Sequence, residues 1–392
     1  MFPTSSLDYG MKCRVCQTSN LETVMDLGLL PISDFPAMPN NIATAPLEVV
    51  LCPNCHLVQL KLAVSRDSLY KGKYWYRSGT NESMILALKD VVNEVCKWVE
   101  LKPGDCVLDI GSNDGTLLSF YPDTVTIHGF EPYSSLAFES MELLGRGNIF
   151  PTYFPDKNLN CRYKIITSIA QFYNVDDLVS YVKAIKDILH PDGVWCVQMG
   201  YLKTILLTND IGNFCHEHLT FWTLSPLQYL LKRFGLGIVN LEFNQVNGGS
   251  FRVMVKHGKG STFHDTITKE DFKEFSSKLK GLKEETLSLL KSCGGLIIGL
   301  GASTKNNIVL SYYGIGPELI PYFAERHPEK WGRYTVTGIP IISEEEARNL
   351  KPDYYFVGPF HFIESLKNRE RAFLEAGGKF IVPFPNLHLI GG

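Results

Sequence analysis

Two pairs of cysteines near the start of the chain limit what it can fold into more than any other feature. The pairs are Cys13-Arg-Val-Cys16 and Cys52-Pro-Asn-Cys55. Each pair has the spacing of a knuckle whose two sulfurs converge on one tetrahedral ion. Because the protein fills all four ligand positions, we expect a closed, structural zinc site. A redox pair is the alternative, although a thioredoxin-like motif has a single pair before a helix.

A glycine-rich turn is predicted where Val107-Leu-Asp-Ile-Gly111 ends a strand and Ser112-Asn-Asp-Gly115 opens a helix. Glycines allow a ligand close to the backbone, and the free N–H groups of a helix start bind a carboxylate. Gly129-Phe-Glu131 ends the next strand with a carboxylate for ribose hydroxyls. The pattern favours S-adenosylmethionine over a dinucleotide, whose fingerprint is G-x-G-x-x-G. An NAD site and a structural turn are the alternatives. The candidate cofactor-binding residues are Asp109, Gly111, Ser112, Asn113, Gly115, Glu131 and Pro132.

A catalytic segment is predicted at Phe214-Cys-His-Glu-His218, which follows the predicted strand at residues 194–199. Ligands bind at the carboxyl ends of strands in open α/β sheets. Two imidazoles and a carboxylate offer a base, a partner that raises its basicity and a donor for an oxyanion. A surface loop or a pair of core histidines is the alternative. A zinc-protease helix is excluded because it needs H-E-x-x-H.

Three weaker signals accompany these motifs. Leu300-Gly-Ala-Ser-Thr-Lys305 predicts a strand, a tight turn and a helix start that could hold a phosphate, with Lys305 as a nearby cation. Tyr74-Trp-Tyr76 could cap a polar substrate or form an apolar patch between domains. The charged loop from Arg326 to Arg333 could be solvated surface.

Length and charge limit the number of domains and the kinds of partner expected for this chain. A chain of 392 residues with 45% apolar content exceeds what one hydrophobic core supports, so we expect two or three domains. The net charge of −3 and the scattered basic residues argue against nucleic acid and membrane-surface partners. The first ten residues lack a leader pattern, which predicts a cytoplasmic protein. The cysteines that are then expected to be core thiols are Cys96, Cys106, Cys161, Cys196 and Cys293.

Alternating strand and helix patterns predict an α/β fold with a mainly parallel sheet. Strands are expected at residues 106–110, 125–130, 164–169 and 194–199, closed by an antiparallel pair at 238–243 and 250–256. A second, smaller α/β layer is expected from residue 296 onwards. The predicted units are a loop-rich zinc-binding domain (1–75), a cofactor-binding domain (76–258) and a C-terminal Rossmann-like domain (259–392).

In this order the motifs resemble those of the nucleotide-sugar 3-C-methyltransferases, which make branched deoxysugars. The likeness spans essentially the whole chain. It implies a class I methyltransferase domain of Rossmann-like fold between a small N-terminal zinc-binding domain and a C-terminal Rossmann-like domain that helps to hold the sugar nucleotide. The motifs that carry it are the two cysteine pairs, Tyr74-Trp-Tyr76, His216-Glu-His218, Val246-Asn-Gly-Gly-Ser-Phe-Arg252, Gly301-Ala-Ser-Thr-Lys305 and His327-Pro-Glu-Lys-Trp-Gly332.

The resemblance implies that His218 removes the proton from sugar C3, beside the C4 ketone, with Glu217, Tyr76 and His216 assisting. Two positions depart from the family. Cys215 replaces its tyrosine, and Asn174 replaces the histidine of many members, which removes groups that could orient or share the proton. The expected substrate-binding residues are Tyr74, Asn247, Arg252, Ser303 and Lys305.

The sequence therefore predicts an S-adenosylmethionine-dependent methyltransferase that acts on C3 of a nucleoside-diphosphate 4-keto-6-deoxyhexose, as a monomer or weak homo-oligomer. Methylation of another small molecule at oxygen or nitrogen is one alternative. A second is a nicotinamide-dependent oxidoreductase that uses the turn at 299–305, although no acidic ribose-binding residue stands clearly downstream of that turn. A third is a non-catalytic protein that binds sugar nucleotides.

Overall fold

The computed structural model describes residues 12–39, 42–65, 69, 74–145, 147–155 and 159–391. The first ten residues, from which the absence of a leader is predicted, lie outside this part of the chain. Among the described residues, no helix has the length and apolarity needed to cross a bilayer.

Seventeen strands are found within the described residues. In chain order they are β1 (Glu22–Pro31), β2 (Thr44–Leu51), β3 (Val58–Leu60), β4 (Cys106–Ile110), β5 (Thr126–Phe130), β6 (Asn148–Phe150), β7 (Tyr163–Ile169), β8 (Leu189–Gly200), β9 (Thr220–Phe221), β10 (Leu236–Asn244), β11 (Ser250–His257), β12 (Ile297–Leu300), β13 (Tyr322–Glu325), β14 (Ile341–Ser343), β15 (Tyr354–Phe356), β16 (Lys379–Val382) and β17 (His388–Gly391).

The helices with α-helical geometry connect these strands. They are α1 (Glu82–Val95), α2 (Ser134–Leu144), α3 (Leu178–Ile188), α4 (Leu202–Leu207), α5 (Leu224–Lys232), α6 (Lys269–Ser292), α7 (Thr304–Tyr313), α8 (Glu344–Asn349), α9 (Ile363–Arg369) and α10 (Arg371–Glu375). A short 3₁₀ turn, Ile211–Asn213, precedes the predicted catalytic segment.

The central sheet has seven strands in the order β6-β5-β4-β7-β8-β11-β10. Strands β4 to β8 are parallel, and β10 and β11 form an antiparallel pair that joins β8. The five parallel strands have the doubly wound order 3-2-1-4-5, with the first strand in the middle. The predicted parallel sheet closed by an antiparallel pair is confirmed.

The C-terminal sheet repeats this arrangement on a smaller scale. Its order is β14-β13-β12-β15-β16-β17, and its first five strands are parallel while β17 runs antiparallel to β16. The turn after β12 leads into α7, whose first turn is capped by the Ser303 side chain. The second α/β layer predicted from residue 296 is therefore present.

The N-terminal segment is more regular than predicted. It forms a four-stranded antiparallel sheet in the order β1-β2-β3-β9, whereas the sequence suggested a loop-rich unit. The fourth strand is Thr220–Phe221, which lies immediately after the predicted catalytic segment. The error arose because β1 and β2 bury one face against helices that are distant in sequence, and local patterns do not reveal such partners.

One hydrophobic core joins the N-terminal sheet to the C-terminal half of the chain. Leu47 of β2, Phe272 of α6, Ile308 of α7 and Phe323 of β13 belong to the same cluster of buried side chains. Strand β1 packs against both α6 and α7. The boundaries at residues 75 and 258 stay predictions, since this core crosses both.

Candidate active site

The four predicted zinc ligands come together. Their sulfur atoms all lie within 4.8 Å of one another, and Sγ–Sγ distances of 3.4 Å join Cys13 to Cys55 and Cys16 to Cys52. Tetrahedral zinc with bonds of about 2.3 Å places its sulfurs roughly 3.8 Å apart. The cysteine cluster fits a structural zinc ion, held between the turn of residues 13–16 and the β2–β3 connection.

The turn after β4 is shaped to admit a ligand close to its backbone. Gly111 has φ 78°, and a Cβ there would lie 2.7 Å from Cγ of Gln171. Gly115 has φ 84°, and its Cβ would lie 2.5 Å from Oγ of Ser140. Side chains at either position would be strained as well as crowded. These two glycines are therefore required by the turn itself.

Glu131 is held at the end of β5 by the same turn. Its Oε2 accepts the Asn113 N–H at 3.0 Å, and its Oε1 accepts the Tyr133 N–H at 2.9 Å. Burial raises its pKa to about 7, although the two N–H donors oppose that shift. A buried carboxylate at the second strand end fits the ribose of S-adenosylmethionine.

The other candidate cofactor residues divide into two groups. Gly111, Asn113 and Pro132 line the cavity with Glu131. Asp109, Ser112 and Gly115 do not, and the Asp109 carboxylate instead accepts the Thr167 hydroxyl at 2.6 Å. Burial raises the pKa of Asp109 to about 7. Asp109 thus links β4 to β7 and does not face the ligand space.

Glu131→Gln is expected to weaken S-adenosylmethionine binding by roughly tenfold or more, because hydrogen bonds to charged groups contribute about 1.5–3 kcal/mol. A raised carboxyl pKa means that the ionised acceptor is lost as pH falls through about 7. Wild-type affinity should therefore fall below that pH and level off above it, with a smaller fall in the variant. Calorimetric titration between pH 5.5 and 8.5 measures both effects. The matched control is Glu142→Gln, an exposed position on α2, and equal affinities of all three proteins would contradict the assignment.

A single cavity of about 480 Å³ connects this turn to the C-terminal sheet. It runs between the carboxyl ends of the strands of the two α/β sheets, which is where open α/β sheets bind ligands. The cavity brings together Tyr74, Tyr76, Asn174, Cys215, Glu217, His218, Asn247, Ser303 and Lys305. One ligand space therefore includes the predicted cofactor turn (residues 111–115), the catalytic segment (214–218) and the turn predicted to hold a phosphate (300–305), called the phosphate turn below.

The imidazole of His218 is oriented for use as a base. Its Nδ1 donates to the carbonyl oxygen of Asn213 at 2.8 Å, which leaves the Nε2 lone pair unprotonated in the neutral ring. Burial, opposed by the Asn213 carbonyl and assisted by the cation of Lys305, lowers its pKa to about 4. The ring of Tyr173 lies 4.3 Å away, centroid to centroid. His218 is therefore a neutral acceptor at physiological pH.

Several neighbouring acidic groups in the cavity have raised pKa values. Burial raises the pKa of Glu217 to about 7 and that of the Cys215 thiol to about 12. Tyr76 is 46% exposed, but its phenol lines the cavity, where desolvation raises its pKa to about 12. The ring of Tyr74 stacks on Tyr133 at 5.0 Å. Cys215 is consequently a thiol and not a nucleophilic thiolate.

The structure separates His216 from the other predicted catalytic residues. Its side chain is 2% exposed, does not line the cavity and donates from Nε2 to the carbonyl oxygen of Ala45 at 3.1 Å. Residues 216 and 217 form a turn, and the His218 N–H donates to the carbonyl oxygen of Cys215 at 3.1 Å. His216 thus points to the N-terminal sheet while His218 points to the cavity, which corrects the expectation that both act in catalysis.

The phosphate turn contacts the residues just before the catalytic segment, and the β10–β11 connection, through Lys305. Its Nζ donates to Oδ2 of Asp210 at 3.2 Å and to the carbonyl oxygen of Asn247 at 3.3 Å. Ser303 caps α7 by accepting the Asn306 N–H at 3.2 Å. The cation and the helix start face the same ligand space, an arrangement suited to an anionic group.

Arg252 is not placed as a substrate ligand. Its side chain is 2% exposed and pairs with Asp90 at 2.7 Å and with Glu242 at 3.4 Å. Its Nε donates to Oε1 of Gln198 at 2.8 Å, and the residue does not line the cavity. The side chain is directed to Asp90 of α1 and Glu242 of β10, a direction that the motif alone does not specify.

Arg252→Met is expected to lower the free energy of unfolding by about 2 kcal/mol, because the charged hydrogen bonds are lost while Asp90 and Glu242 regain water. The KM for the acceptor should stay unchanged. Thermal denaturation and steady-state kinetics measure the two effects. The control is Lys256→Met on the same strand, whose ammonium makes a single long bond to a carbonyl at 3.5 Å. A raised KM with unchanged stability would restore Arg252 to the substrate site.

Two groups in the cavity were missed by sequence reasoning. Glu325 ends β13 and lines the cavity, with its Oε1 accepting the N–H groups of Arg326 and His327. An acidic residue therefore does stand at the second strand end of the C-terminal sheet, contrary to the expectation. His361 also lines the cavity, and burial lowers its pKa to about 3. The strand-end rule could have found Glu325, whereas nothing in the local sequence marks His361.

Comparison with known families agrees with this geometry. A putative zinc-binding domain matches residues 13–70, a methyltransferase domain matches 81–241 and a C-methyltransferase C-terminal domain matches 245–385. The chain is an S-adenosylmethionine-dependent methyltransferase. The predicted cofactors, S-adenosylmethionine and structural zinc, are confirmed for it. The class I methyltransferase fold predicted from the sequence is confirmed as well.

Individual relatives of this methyltransferase are distant. It is 26% identical to the C-methyltransferase NovU of Streptomyces niveus over 97% of its own length and 96% of that protein. A methyltransferase structure from Clostridium acetobutylicum shares 15% identity, covering 44% of this chain and 92% of the other, with a TM-score of 0.38. The magnesium protoporphyrin IX methyltransferase of Synechocystis with bound S-adenosylmethionine shares 11%, covering 44% and 79%, with a TM-score of 0.35. These TM-scores are too low to support any conclusion about the fold, which rests on the strand order of the central sheet.

Proposed function

We propose that this protein transfers a methyl group to C3 of a nucleoside-diphosphate 4-keto-6-deoxyhexose. The observation that carries the proposal is the orientation of His218, whose Nδ1 is bonded to the Asn213 carbonyl at 2.8 Å while the ring lines the cavity. A carbon beside a ketone becomes a nucleophile only after its proton is removed. A neutral imidazole with a free Nε2 is the group suited to that step.

In the proposed reaction, Nε2 of His218 takes the C3 proton. The C–H electron pair moves into the enolate, whose negative charge develops on the C4 oxygen. Bound S-adenosylmethionine supplies the methyl group from its sulfonium. The protein residues orient the acceptor and exclude water, and Tyr76, whose phenol stays protonated with a pKa of about 12, is the proposed donor to the enolate oxygen. The low pKa of His218 limits its strength as a base, so stabilisation of the enolate is expected to matter as much as proton removal.

The lining of the cavity supports a nucleotide-linked acceptor. The cavity is lined both by His218 and by Ser303, Lys305 and Glu325, which belong to the C-terminal α/β layer. We assign Ser303 and Lys305 to the diphosphate, because a capped helix start and a cation favour an anion. Glu325 is suited to accept a ribose hydroxyl, as acidic residues at this strand position do in doubly wound folds.

A different acceptor is the second candidate, and the altered residues favour it. Cys215 is a buried neutral thiol, and Oδ1 of Asn174 is buried without a hydrogen-bond partner. Both line the cavity beside His218 and leave its surroundings less polar than a tyrosine and a histidine would. An oxygen or nitrogen acceptor would need no proton removal from carbon.

The test incubates the protein and S-adenosylmethionine with a panel of nucleotide-linked 4-keto-6-deoxysugars. A product heavier by one methylene, with the methyl placed on C3 by NMR, is the expected result. Loss of deuterium from C3 in the presence of S-adenosylhomocysteine should occur as well, since only C-methylation exchanges that proton. Methylation without exchange would establish the second candidate. Binding of the sugars with neither exchange nor methylation would indicate a non-catalytic binding protein and overturn the proposal.

A further inference from the structure

The carbonyl that orients His218 belongs to a short turn with its own support. Asn213 supplies the carbonyl, and its side-chain amide donates to Oδ2 of Asp210 at 2.6 Å. The Asn213 N–H also donates to the Asp210 carbonyl oxygen at 3.2 Å. Asp210 therefore fixes Asn213 from both its backbone and its side chain.

The same carboxylate oxygen of Asp210 holds a group from the C-terminal sheet. Lys305 donates to Oδ2 at 3.2 Å, and only 7% of the Asp210 side chain is exposed. The turn and α7 also touch through Gly212, where a Cβ would lie 2.8 Å from Cβ of Lys305 and 3.0 Å from its carbonyl oxygen. The absence of a side chain at Gly212 lets Lys305 reach Asp210.

We propose that Asp210 is a positioning residue that fixes the Nδ1–H form of His218 through Asn213 and ties it to Lys305. The inference rests on the proposed role of His218 as the base. Without the carboxylate, the Asn213 amide loses its acceptor and the turn can rotate its carbonyl away from Nδ1. The ring then loses the partner that selects its tautomer, and the fraction with Nε2 free for the acceptor falls.

The Asp210 carboxylate has two side-chain partners, Asn213 and Lys305, and substitution of each one separately shows what that contact contributes. Asn213→Ala removes the amide that joins Asp210 to the base-bearing turn and keeps the Lys305 pair. Lys305→Met removes the cation and keeps the amide. If Asp210 acts through Asn213, then Asp210→Ala and Asn213→Ala should each lower the rate of C3 proton exchange about 10- to 100-fold, a range typical of groups that orient a functional histidine. The double variant should be no slower than either, because both changes break one connection. Lys305→Met should raise KM more than it lowers kcat.

A spectroscopic measurement tests the inference without any substrate. Ring ¹⁵N shifts of labelled protein should show His218 as the Nδ1–H tautomer in the wild type and as a mixture in Asp210→Ala, with the signal assigned by its absence from His218→Asn. Asparagine has nearly the same shape as aspartate, so Asp210→Asn provides a second test if Asp210→Ala is too unstable to measure. An unchanged tautomer in both Asp210 variants would overturn the proposal, as would rate losses for Asp210 and Asn213 that multiply.

Failure of this inference is distinguishable from failure of the proposed function. If His218→Ala retains C3 exchange, then His218 is not the base and the proposed function fails in that respect. If His218→Ala abolishes exchange while Asp210→Ala leaves both kcat and the tautomer unchanged, only the positioning role is rejected. S-adenosylmethionine titration and thermal denaturation of each variant confirm that the fold and the cofactor turn are intact.

Discussion

Replacement of His218 by alanine is expected to lower kcat by about 10²- to 10⁴-fold, the range over which general bases contribute. The affinity for S-adenosylmethionine should change by less than about twofold, because Glu131 and the glycine turn lie on other elements. C3 proton exchange should disappear together with turnover, since both need the same proton removal. Exchange followed by NMR and calorimetric cofactor titration give the two quantities.

The comparison variant is His216→Gln, two residues away and directed at Ala45. Glutamine can donate to the same carbonyl, so kcat should be close to that of the wild type with at most a small loss of stability. Equal loss of cofactor affinity and turnover in His218→Ala would mean that the residue is structural. Loss of turnover in His216→Gln would restore the two-histidine hypothesis from the sequence.

Removal of zinc is expected to abolish most of the activity, although no cysteine of the cluster lines the cavity. Cys52 and Cys55 lie in the connection between β2 and β3, and β3 pairs with β9 immediately after His218. Structural zinc contributes on the order of 10 kcal/mol to folding in small domains. Chelation, or Cys52→Ala, should therefore lower the melting temperature by about 10 °C or more and reduce kcat at least about tenfold.

The control for the cysteine substitution is Cys293→Ser, a thiol at the end of α6 outside the cluster. It should keep the metal content, the melting temperature and kcat. Metal analysis of the wild type is expected to give one zinc per chain, and added zinc should restore the chelated protein. A metal-free protein with unchanged melting temperature and turnover would show that the cysteine cluster has no structural role.

Residues close in sequence account for what could be predicted. The cysteine pairs, the turn from Gly111 to Gly115, Glu131 at the next strand end and the helix start at Ser303 each follow from local spacing. His218 could be placed beside the cofactor because its segment follows β8, and strand ends of a parallel sheet share one edge. For these positions, periodicity and motif spacing carry the necessary information.

Side-chain direction and distant partners could not be predicted. His216 and His218 look alike in sequence, yet they face opposite sides because a turn at residues 216 and 217 lies between them. Arg252 belongs to a motif, but its pairing with Asp90 depends on how β11 packs against α1. The proposed role of Asp210 depends on a contact with Lys305 of α7, which lies almost a hundred positions later in the chain. Such relations depend on tertiary packing and leave no local signal.

The core shared by the N-terminal sheet and the last third of the chain also bears on how the protein is made. Strand β1 leaves the ribosome early, while α6 and α7, which cover it, begin only at Lys269 and Thr304. During synthesis, the apolar face of this sheet is therefore exposed until those helices emerge, which favours aggregation of nascent or truncated chains. Zinc binding requires no residue after Cys55, so the ion can stabilise the β2–β3 hairpin until α6 and α7 have been synthesised.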